Sequence, residues 1–386
     1  MTINLITASS AVAGTATVAN ANTLTIIAAG AVRVSTASDA LGSFAASDNC
    51  DVRVDGTLIS QGAAVFLNTD GVTDSHSLTV GATGLLLANA GNGALVQGAN
   101  AAVLNYGQIG SVSNIGVQMT GASARLENFG AIYSFGSTGV VLAGANAVLR
   151  NFGSITTDNA NATAINLSGS SGNLVENYGT VSGGLRSIFG SANADTIFNY
   201  GTLSGRVDLN AGADLFNGAG GRAVVVFGGD GDDILRGSFF DDALAGDAGA
   251  DRIVGRTGDD QLTGGSGADR LLGGGDDDLL NGGADKDLLS GGTGADQFQF
   301  SFVADIGTGA LSDRITDFKS LEDKIDLSLI PGLSFIASAA FSNVAGQLRY
   351  DTASRQLQGD TDGNGVADFA LVLDGVASLV AGDLIL

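Results

Sequence analysis

The sequence predicts an all-β protein in three parts: an N-terminal parallel β-helix solenoid, a parallel β-roll and a C-terminal β domain. Three observations predict this class. A short phrase returns about every 23 residues, eight nonapeptides follow one another without insertion, and short β-branched apolar patches alternate with Gly, Ala, Ser and Asn turns. The expected boundaries are 1–227, 228–299 and 300–386, and they rest on the repeat pattern alone.

The first part is defined by the phrase Asn-aromatic-Gly, which stands between aliphatic residues. Its aromatic members are Tyr106, Phe129, Phe152, Tyr178 and Tyr200. Short strands that return at a fixed period are typical of a stacked solenoid with one coil per repeat. The sequence therefore predicts a parallel β-helix of roughly seven to nine rungs, each ~4.8 Å above the last.

The Asn and aromatic members of this phrase allow two interpretations. In an extended segment Leu149 and Asn151 point one way, while Arg150 and Phe152 point the other. If the Leu side faces inward, the Asn side chains form an internal hydrogen-bonded ladder and the rings form a surface stripe that could stack on sugars. Alternatively, the chain bends at the phrase and the rings stack on one another. Columns in repeat proteins usually serve packing between neighbouring rungs, which favours the second interpretation.

Residues 228–299 carry the strongest pattern in the chain. In all eight nonapeptides position 1 is Gly, position 6 is Asp and position 8 is apolar. The segment holds 16 aspartates against 5 basic residues, so it is the most acidic part of a chain whose net charge is −23. The position-6 residues are Asp233, Asp242, Asp251, Asp260, Asp269, Asp278, Asp287 and Asp296.

The residue types at these positions point to calcium. Glycine permits the positive φ angles that a tight loop needs, and the apolar residue at position 8 points into a thin core. Two units complete one turn of a roll, so each unit lies about 4.8 Å from the next but one. Stacked carboxylates at that distance repel by ~3–4 kcal/mol per pair at an effective dielectric near 20. A calcium ion, which takes six to eight oxygen ligands, turns that repulsion into attraction. Six such pairs predict up to about six ions.

This segment resembles the nonapeptide repeat of the RTX calcium-binding family, G-G-x-G-x-D-x-U-x, in which U is apolar. The resemblance implies that the position-6 carboxylates bind calcium together with backbone groups of the loop glycines. Because the core is thin, the metal-free roll is expected to be expanded and to fold on binding calcium. The glycines concerned are Gly228, Gly229, Gly246, Gly255, Gly264, Gly265, Gly273, Gly274, Gly282, Gly283, Gly291 and Gly292. The second unit lacks a later glycine, so its sites are expected to be the weakest.

The C-terminal part resembles the C-terminal domain of serralysin-type proteases and related RTX proteins. The segments concerned are 313–318, 323–328 and 359–369, together with the end Asp383 to Leu386. The resemblance implies type I secretion from a Gram-negative bacterium, with the secretion apparatus as a partner and an extracellular location. No basic stretch precedes the first apolar residues, so an N-terminal secretory signal is not expected.

The departures from these families bear on activity. The protease motif H-E-x-x-H is absent, because His76 is the one histidine. The chain also resembles mannuronan C5-epimerases, which join a β-helix to RTX modules. Their D-P-H motif is missing, however, because residues 74–76 are Asp-Ser-His. His76 is predicted to be an ordinary loop residue.

A second calcium site is a weaker expectation. Asp360, Asp362, Asn364 and Asp368 have a spacing like that of an EF-type loop, but Leu371 stands where that loop needs its last carboxylate. A Gly- and Asn-rich hairpin turn is the favoured interpretation.

Composition narrows the function classes. The acidic balance argues against nucleic acid and anionic membranes, no apolar run is long enough to span a membrane, and the one cysteine, Cys50, excludes an intramolecular disulfide. The sequence therefore predicts a secreted, non-catalytic calcium-binding protein whose β-helix is a surface, adhesion or matrix module, with cell-surface or matrix glycans as candidate partners. The alternative is a polysaccharide-acting lyase or epimerase with its site on the β-helix.

Overall fold

A computed structural model describes residues 2–5, 23–26, 31–33, 51–67, 75–167, 169, 172–222 and 224–386, with side chains from residue 51 onward. Cys50 lies outside the described residues. The chain divides into two compact units, Met1–Ala211 and Gly212–Leu386. Both units are built almost entirely of parallel strands, which confirms the predicted solenoid class. The three ranges expected from the repeats stay a prediction.

The first unit is a β-helix whose coils run along three faces. The strands of the first face are Thr2–Leu5, Thr23–Ile26, Asp51–Val54, Ser77–Val80, Ala102–Asn105, Arg125–Asn128, Val148–Asn151, Leu174–Asn177 and Thr196–Asn199. Those of the second face are Ala31–Arg33, Thr57–Ser60, Leu85–Ala88, Gln108–Ser111, Ala131–Ser134, Ser154–Thr157, Thr180–Phe189 and Thr202–Asp208. Those of the third face are Val65–Leu67, Ala94–Val96, Val117–Met119, Val140–Leu142 and Thr163–Leu167.

The rungs are held in register by repeated turn residues. Asn105 pairs with Asn128, which pairs with Asn151, in parallel ladders without a shift. After three of the third-face strands, Ala94–Val96, Val117–Met119 and Val140–Leu142, the chain turns through a residue with positive φ, namely Asn100 at 58°, Ser123 at 57° and Asn146 at 55°. Asn tolerates this left-handed conformation better than most residues, so a polar turn residue every 23 positions is a physical requirement of the coil.

The Asn column lies inside the β-helix, as the first interpretation predicted. Asn105, Asn128, Asn151, Asn177 and Asn199 are fully buried. The Nδ2 atoms of the first four donate to the Oδ1 of the next rung, at 2.7 Å for the first pair and 2.8 Å for the other three, whereas Asn199 Nδ2 ends the column without a partner among the described residues. A buried amide must be hydrogen-bonded, and a column of identical amides meets this need within its length because each inner side chain both donates and accepts.

The aromatic column lies on the surface, and its rings also stack on one another. Consecutive centroids from Tyr106 to Tyr200 are 5.0, 4.7, 4.9 and 4.9 Å apart, with interplanar angles of at most 14°. Each ring remains between 42% and 46% exposed. The two interpretations are therefore compatible, because the position is external and stacking buries the ring faces while the ring edges meet solvent.

The second unit begins as a flattened roll of two parallel sheets. One sheet contains Leu215–Asn217, Ile234–Arg236, Arg252–Thr257, Arg270–Gly275, Leu288–Thr293 and Arg314–Ile315. The other contains Val225–Asp230, Ala243–Ala248, Gln261–Ser266, Leu279–Ala284, Gln297–Gln299, Lys324–Asp326 and Leu384–Ile385. Strands pair with a step of 18 residues, as in Leu262 with Leu280, so two nonapeptides make one turn. The position-8 side chains are at most 1% exposed and form the core between the sheets.

The end of the chain closes this roll. Gln347–Asp351, Gln356–Asp360 and Phe369–Leu373 form an antiparallel meander, and Ser334–Phe335 adds to its edge. The described part holds one short α-helix, Val303–Ile306, and 3₁₀ turns at Gly309–Leu311 and Ala381–Asp383. No helix in that part is both long and apolar enough to cross a membrane.

The Asn column predicts a specific stability defect. Asn151→Ala should destabilise the β-helix by about 2–4 kcal/mol, because it leaves the buried Asn128 Nδ2 and Asn177 Oδ1 without their partner. The measurement is urea denaturation followed by circular dichroism. Asn161→Ala, at an exposed turn, is the matched control and should change stability by less than about 0.5 kcal/mol. Equal effects of the two substitutions would contradict a stabilising role for the column.

Candidate metal centre

The position-6 aspartates lie in two columns, one at each edge of the roll. The first column contains Asp233, Asp251, Asp269 and Asp287, and the second contains Asp242, Asp260, Asp278 and Asp296. All eight carboxylates are at most 3% exposed. The two columns follow directly from the nine-residue unit and the 18-residue turn, since alternate units fall on opposite edges.

One oxygen of each carboxylate is fixed by the backbone. Asp251 Oδ1 accepts from the N–H of Asp233 at 2.8 Å, and the same bond recurs along both columns at 2.8–3.0 Å. Each bond joins position 6 of one turn to position 6 of the next. This contact sets the orientation of the carboxylate, so its second oxygen points into the loop.

The second oxygen, Oδ2, is buried and has no hydrogen-bond partner in seven of the eight nonapeptides. These are the Oδ2 atoms of Asp233, Asp251, Asp260, Asp269, Asp278, Asp287 and Asp296. A buried carboxylate oxygen without a donor is costly unless a cation lies beside it. The repeated orphan oxygen is therefore the structural sign that these loops fit a metal ion.

The glycine at position 1 makes room beside this oxygen. A Cβ added to Gly264 would lie 2.2 Å from Asp269 Oδ2 and 2.3 Å from the carbonyl oxygen of Gly282, one turn later. A Cβ on Gly273 would lie equally close to Asp278 Oδ2 and 2.6 Å from the Gly291 carbonyl. In the first six nonapeptides the loop thus brings a carboxylate and a carbonyl oxygen together around a space that only glycine leaves open. Hard oxygen donors of this kind suit calcium.

Glycines at positions 2 and 4 shape the loop rather than open it. Gly265 and Gly267 have φ of 122° and 118°, and the corresponding glycines of the other units are alike. Where position 4 is not glycine, Asp276 and Asp285 adopt φ of 72° and 79°. Position 2 is Arg256 in the fourth unit, with φ of 95°, which is an unusual conformation for a long side chain.

Burial alters the acidity of these carboxyl groups. In the metal-free fold, desolvation raises the pKa of Asp233, Asp269 and Asp287 to about 7 and that of Asp278 to about 8. Backbone hydrogen bonds to the neighbouring turn lower each value, but burial outweighs them. Bound calcium favours the charged form, so ion binding to this fold should release protons.

The second nonapeptide differs from the others. Its Asp242 Oδ2 accepts from the N–H of Ser238 at 2.5 Å, so this carboxylate has a partner within its own loop. Neither Ser238 nor Phe240 has the positive φ found at positions 2 and 4 elsewhere. The loop also leaves Phe239 and Phe240 61% and 54% exposed. The loop of the second nonapeptide thus differs in conformation from the others, and the expectation that its sites are the weakest stays a prediction.

Both columns extend beyond the nonapeptides that the sequence reveals. Asp214 and Asp313 continue the first column, and Asp313 has a buried Oδ2 without a hydrogen-bond partner. Asp323 continues the second column through a 3.2 Å bond from Asp296 N–H, although its Oδ2 accepts from Lys319 N–H. Burial raises the pKa of Asp313 to about 9.

Sequence reasoning missed these residues because position 1 is not glycine in their units. The signal that finds them is the triplet at positions 6–8, an Asp followed by any residue and then an apolar one. It occurs as Asp214-Leu215-Phe216, Asp313-Arg314-Ile315 and Asp323-Lys324-Ile325. In the β-helix, Asp195 begins the same kind of triplet. Its Oδ2 accepts a hydrogen bond from Ser191 N–H, just as Asp242 Oδ2 accepts one from Ser238 N–H in the second nonapeptide.

The candidate second site lies in the loop of the antiparallel hairpin between Gln356–Asp360 and Phe369–Leu373. Asp360, Asp362 and Asp368 each bring a carboxylate oxygen within 4.8 Å of the others. These carboxylates also accept loop hydrogen bonds, for example Asp360 from Gly363 N–H and Asp368 from Thr361 N–H, both at 2.7 Å. Asn364 bonds Asp362 rather than facing the cluster. The loop is thus the hairpin turn that the sequence favoured, and its use as a calcium site stays a prediction.

His76 and one cluster of charged residues on the β-helix bear on the alternative of an enzyme. His76 is buried directly before the strand Ser77–Val80, so it is an internal residue of the coil. Arg186 and Arg206 both pair with Asp208, and Arg186 also lies 4.8 Å above the ring of Phe189. The two arginines therefore share the one carboxylate of Asp208, which is the arrangement of a structural ion-pair cluster.

The comparisons with known proteins agree with this geometry. Residues 191–386, just over half of the chain, match the family described as the peptidase M10 serralysin C terminal. The chain belongs to this family. The predicted RTX resemblance is confirmed, and the RTX-type repeats of this serralysin C-terminal domain imply calcium binding.

Two solved structures from Azotobacter vinelandii are similar to part of the chain. The AlgE6R3 subunit of its mannuronan C5-epimerase is 29% identical, with 40% of this chain and 78% of that chain covered and a TM-score of 0.28. The AlgE6R2 subunit of the same epimerase is 32% identical, with 39% and 90% covered and a TM-score of 0.24. No curated protein matches the chain.

The raised pKa values of these carboxyl groups predict how stability depends on pH. In the folded, metal-free roll Asp233 and Asp269 titrate near 7, whereas in the unfolded chain they titrate near 3.8. The folded state therefore binds more protons between about pH 4 and 8, and its stability should fall as pH rises through that window. The measurement is the β content of metal-stripped protein, followed by far-UV circular dichroism at pH 5 and pH 8. More β structure at pH 8 than at pH 5 would contradict burial of these carboxyl groups.

Proposed function

We propose that this protein is a secreted calcium-binding protein whose β-roll folds when it meets calcium outside the cell. The observation that carries the proposal is the repeated buried Oδ2 without a partner, found beside a carbonyl oxygen of the next turn. Asp233, Asp251, Asp260, Asp269, Asp278, Asp287 and Asp296 would hold the ions together with the loop backbone. Calcium would supply the positive charge that the stacked carboxylates lack.

The same geometry supports a switch-like dependence on calcium. Without metal, neighbouring carboxylates in a column must share protons or repel one another by ~3–4 kcal/mol per pair at an effective dielectric near 20. The thin core of one apolar residue per nonapeptide gives little to set against that repulsion and the chain entropy. Extracellular calcium modules bind at ~10⁻⁴–10⁻³ M, so the sites would be empty in a cytosol and filled outside.

For the β-helix we propose a non-catalytic surface, adhesion or matrix module. Its stacked rings offer their edges, whereas sugar stacking uses ring faces, so the column supports a packing role more than a glycan platform. An enzyme of the alternative class needs a base and a charge-neutralising group free in a groove. The converging Arg186, Arg206 and Asp208 are already paired, and their aromatic neighbour Phe189 has no proton to give.

Calcium titration of the full chain tests the proposal. Far-UV circular dichroism should show a cooperative gain of β structure at millimolar calcium and its loss with chelator. Gly264→Ala should raise the calcium midpoint roughly tenfold, because the added methyl collides with Asp269 Oδ2 and a carbonyl and such overpacking costs about 1–3 kcal/mol.

Gly275→Ala is the matched control, since its added Cβ would meet no atom closer than 3.4 Å. It should leave the calcium midpoint unchanged. A spectrum of the unaltered chain that is the same in chelator and in millimolar calcium would overturn the proposal.

Secretion is tested by export from a Gram-negative cell. With a type I apparatus co-expressed, the full chain should appear in the medium, and a chain lacking 300–386 should remain in the cytosol. Retention of both chains, or export of both, would contradict the proposed role of the C-terminal part. The cytosolic amount of each chain, measured in parallel, corrects for expression.

A further inference from the structure

The turn that contains Asp313 stacks on the seventh nonapeptide in the same way as one nonapeptide stacks on another. Leu289 pairs with Ile315 in a parallel ladder. Asp287 N–H donates to Asp313 Oδ1 at 2.7 Å, which repeats the bond that joins successive turns along the first column. Asp313 is therefore the structural equivalent of a position-6 aspartate, although the sequence of its loop is not that of a nonapeptide.

The other carboxylate oxygen of Asp313 is buried and has no partner to neutralise it. Asp313 is 0% exposed, and its Oδ2 accepts no hydrogen bond from the residues that the structure describes. Within the same part of the chain, no ion pair includes Asp313. Lys286 Nζ donates instead to the carbonyl oxygen of Ala310 at 3.2 Å, in an exposed position. A buried carboxylate oxygen of this kind requires a proton or a cation beside it.

The second column ends differently. Its member beyond the nonapeptides is Asp323, whose Oδ2 accepts from Lys319 N–H at 2.7 Å. The N–H of Asp323 donates in turn to the Lys319 carbonyl at 2.9 Å, so this turn closes on its own carboxylate. No described N–H takes that place at Asp313. The two columns therefore end on equivalent aspartates, but the protein itself satisfies Oδ2 at only one of them.

A second carboxylate lies near Asp313. The N–H of Asp313 donates to the carbonyl oxygen of Ile306 at 3.0 Å, which holds the short helix Val303–Ile306 against this turn. Asp305 belongs to that helix and is half-buried. Burial raises the pKa of Asp313 and of Asp287, and the negative charge of Asp305 raises both further. The end of the first column thus gathers three acidic groups, which repel one another unless a cation lies among them.

We propose that Asp313 binds a calcium ion at the end of the first column, with Asp305 as its second carboxylate. Calcium suits this position because it accepts carboxylate oxygens from separate elements in a flexible arrangement. The ion fastens the helix Val303–Ile306 to the roll, so calcium also orders the segment that follows the last nonapeptide. This inference rests on the proposed calcium binding of the nonapeptides, and it adds one ion to those that they bind.

The direct test is a crystal structure of the full chain grown with calcium, with anomalous differences used to locate the ions. We expect an ion about 2.3–2.6 Å from Asp313 Oδ2, in addition to ions beside nonapeptide aspartates such as Asp269 and Asp278. Ions in the nonapeptides with none at Asp313 would overturn this inference alone. Absence of ions from every loop would overturn the proposed function as well, so the two failures are distinguishable.

Asp313→Asn separates a bound ion from a proton held on the buried carboxyl group. The amide has nearly the shape of a protonated carboxyl group but lacks the negative charge, so the variant should fold in calcium and bind one ion fewer. The measurement is native mass spectrometry of the full chain at saturating calcium. An ion count equal to that of the unaltered chain would show that Asp313 is only protonated, and it would overturn the inference.

Asp374→Asn is the matched control, because Asp374 is a partly exposed carboxylate near the same turn that pairs with Arg314 at 3.5 Å. It should leave the ion count unchanged. If Asp313→Asn does not fold, Asp305→Asn is measured in the same way. This variant should bind the ion at Asp313 more weakly, so that one ion is lost when calcium is lowered below saturation. Loss of ions at the same calcium concentration as in the unaltered chain again overturns the inference.

Discussion

The roll depends on one constraint, which is that aspartates are buried with half of each carboxylate unsatisfied. The backbone N–H of one turn donates to Oδ1 of the next, and this hydrogen bond fixes the orientation of the side chain. What remains is Oδ2, which faces a carbonyl across a gap kept open by glycine. Most of the sequence features of this region follow from that gap. Glycine at position 1 keeps it open, positive φ at positions 2 and 4 curls the loop around it, and the apolar residue at position 8 anchors the strand beyond it.

The β-helix also buries a column of polar side chains, but these side chains are uncharged. Its internal column consists of amides, which are neutral and complementary to themselves, so Asn128 needs only Asn105 and Asn151 to be satisfied. The outer rings add stacking between the same rungs. The two solenoids in this chain therefore differ in what completes their interiors. The amide column satisfies its inner members by itself, whereas the aspartate columns leave one oxygen of most carboxylates without a hydrogen-bond donor.

Much of the fold could be predicted from the sequence, because a repeat shows which distant residues lie side by side, whereas a single motif does not. The period of Asn151 and Phe152 predicted the coil and left the internal amide ladder as the less favoured of two interpretations, and the period of Asp269 predicted the pairing of alternate nonapeptides. The sequence did not reveal Asp214, Asp313 and Asp323, because their units lack the glycine that makes the repeat visible and share only the Asp-x-apolar triplet. Nor did it reveal Arg256 as a contact of Gly237, since that bond spans 19 residues and follows from the loop conformation alone.

The amide column also bears on how such a solenoid changes length over evolutionary time. An Asn in this column donates upward and accepts from below, so a rung inserted anywhere meets the same two partners that it would meet elsewhere. Duplication or loss of a 23-residue coil therefore leaves no group unmatched inside the stack. The varied steps of 22 and 26 residues around Asn177 show that the turns absorb insertions while the amides keep their spacing. Growth by whole coils is thus almost neutral for this interior, and natural selection is left free to act on the outward-facing residues.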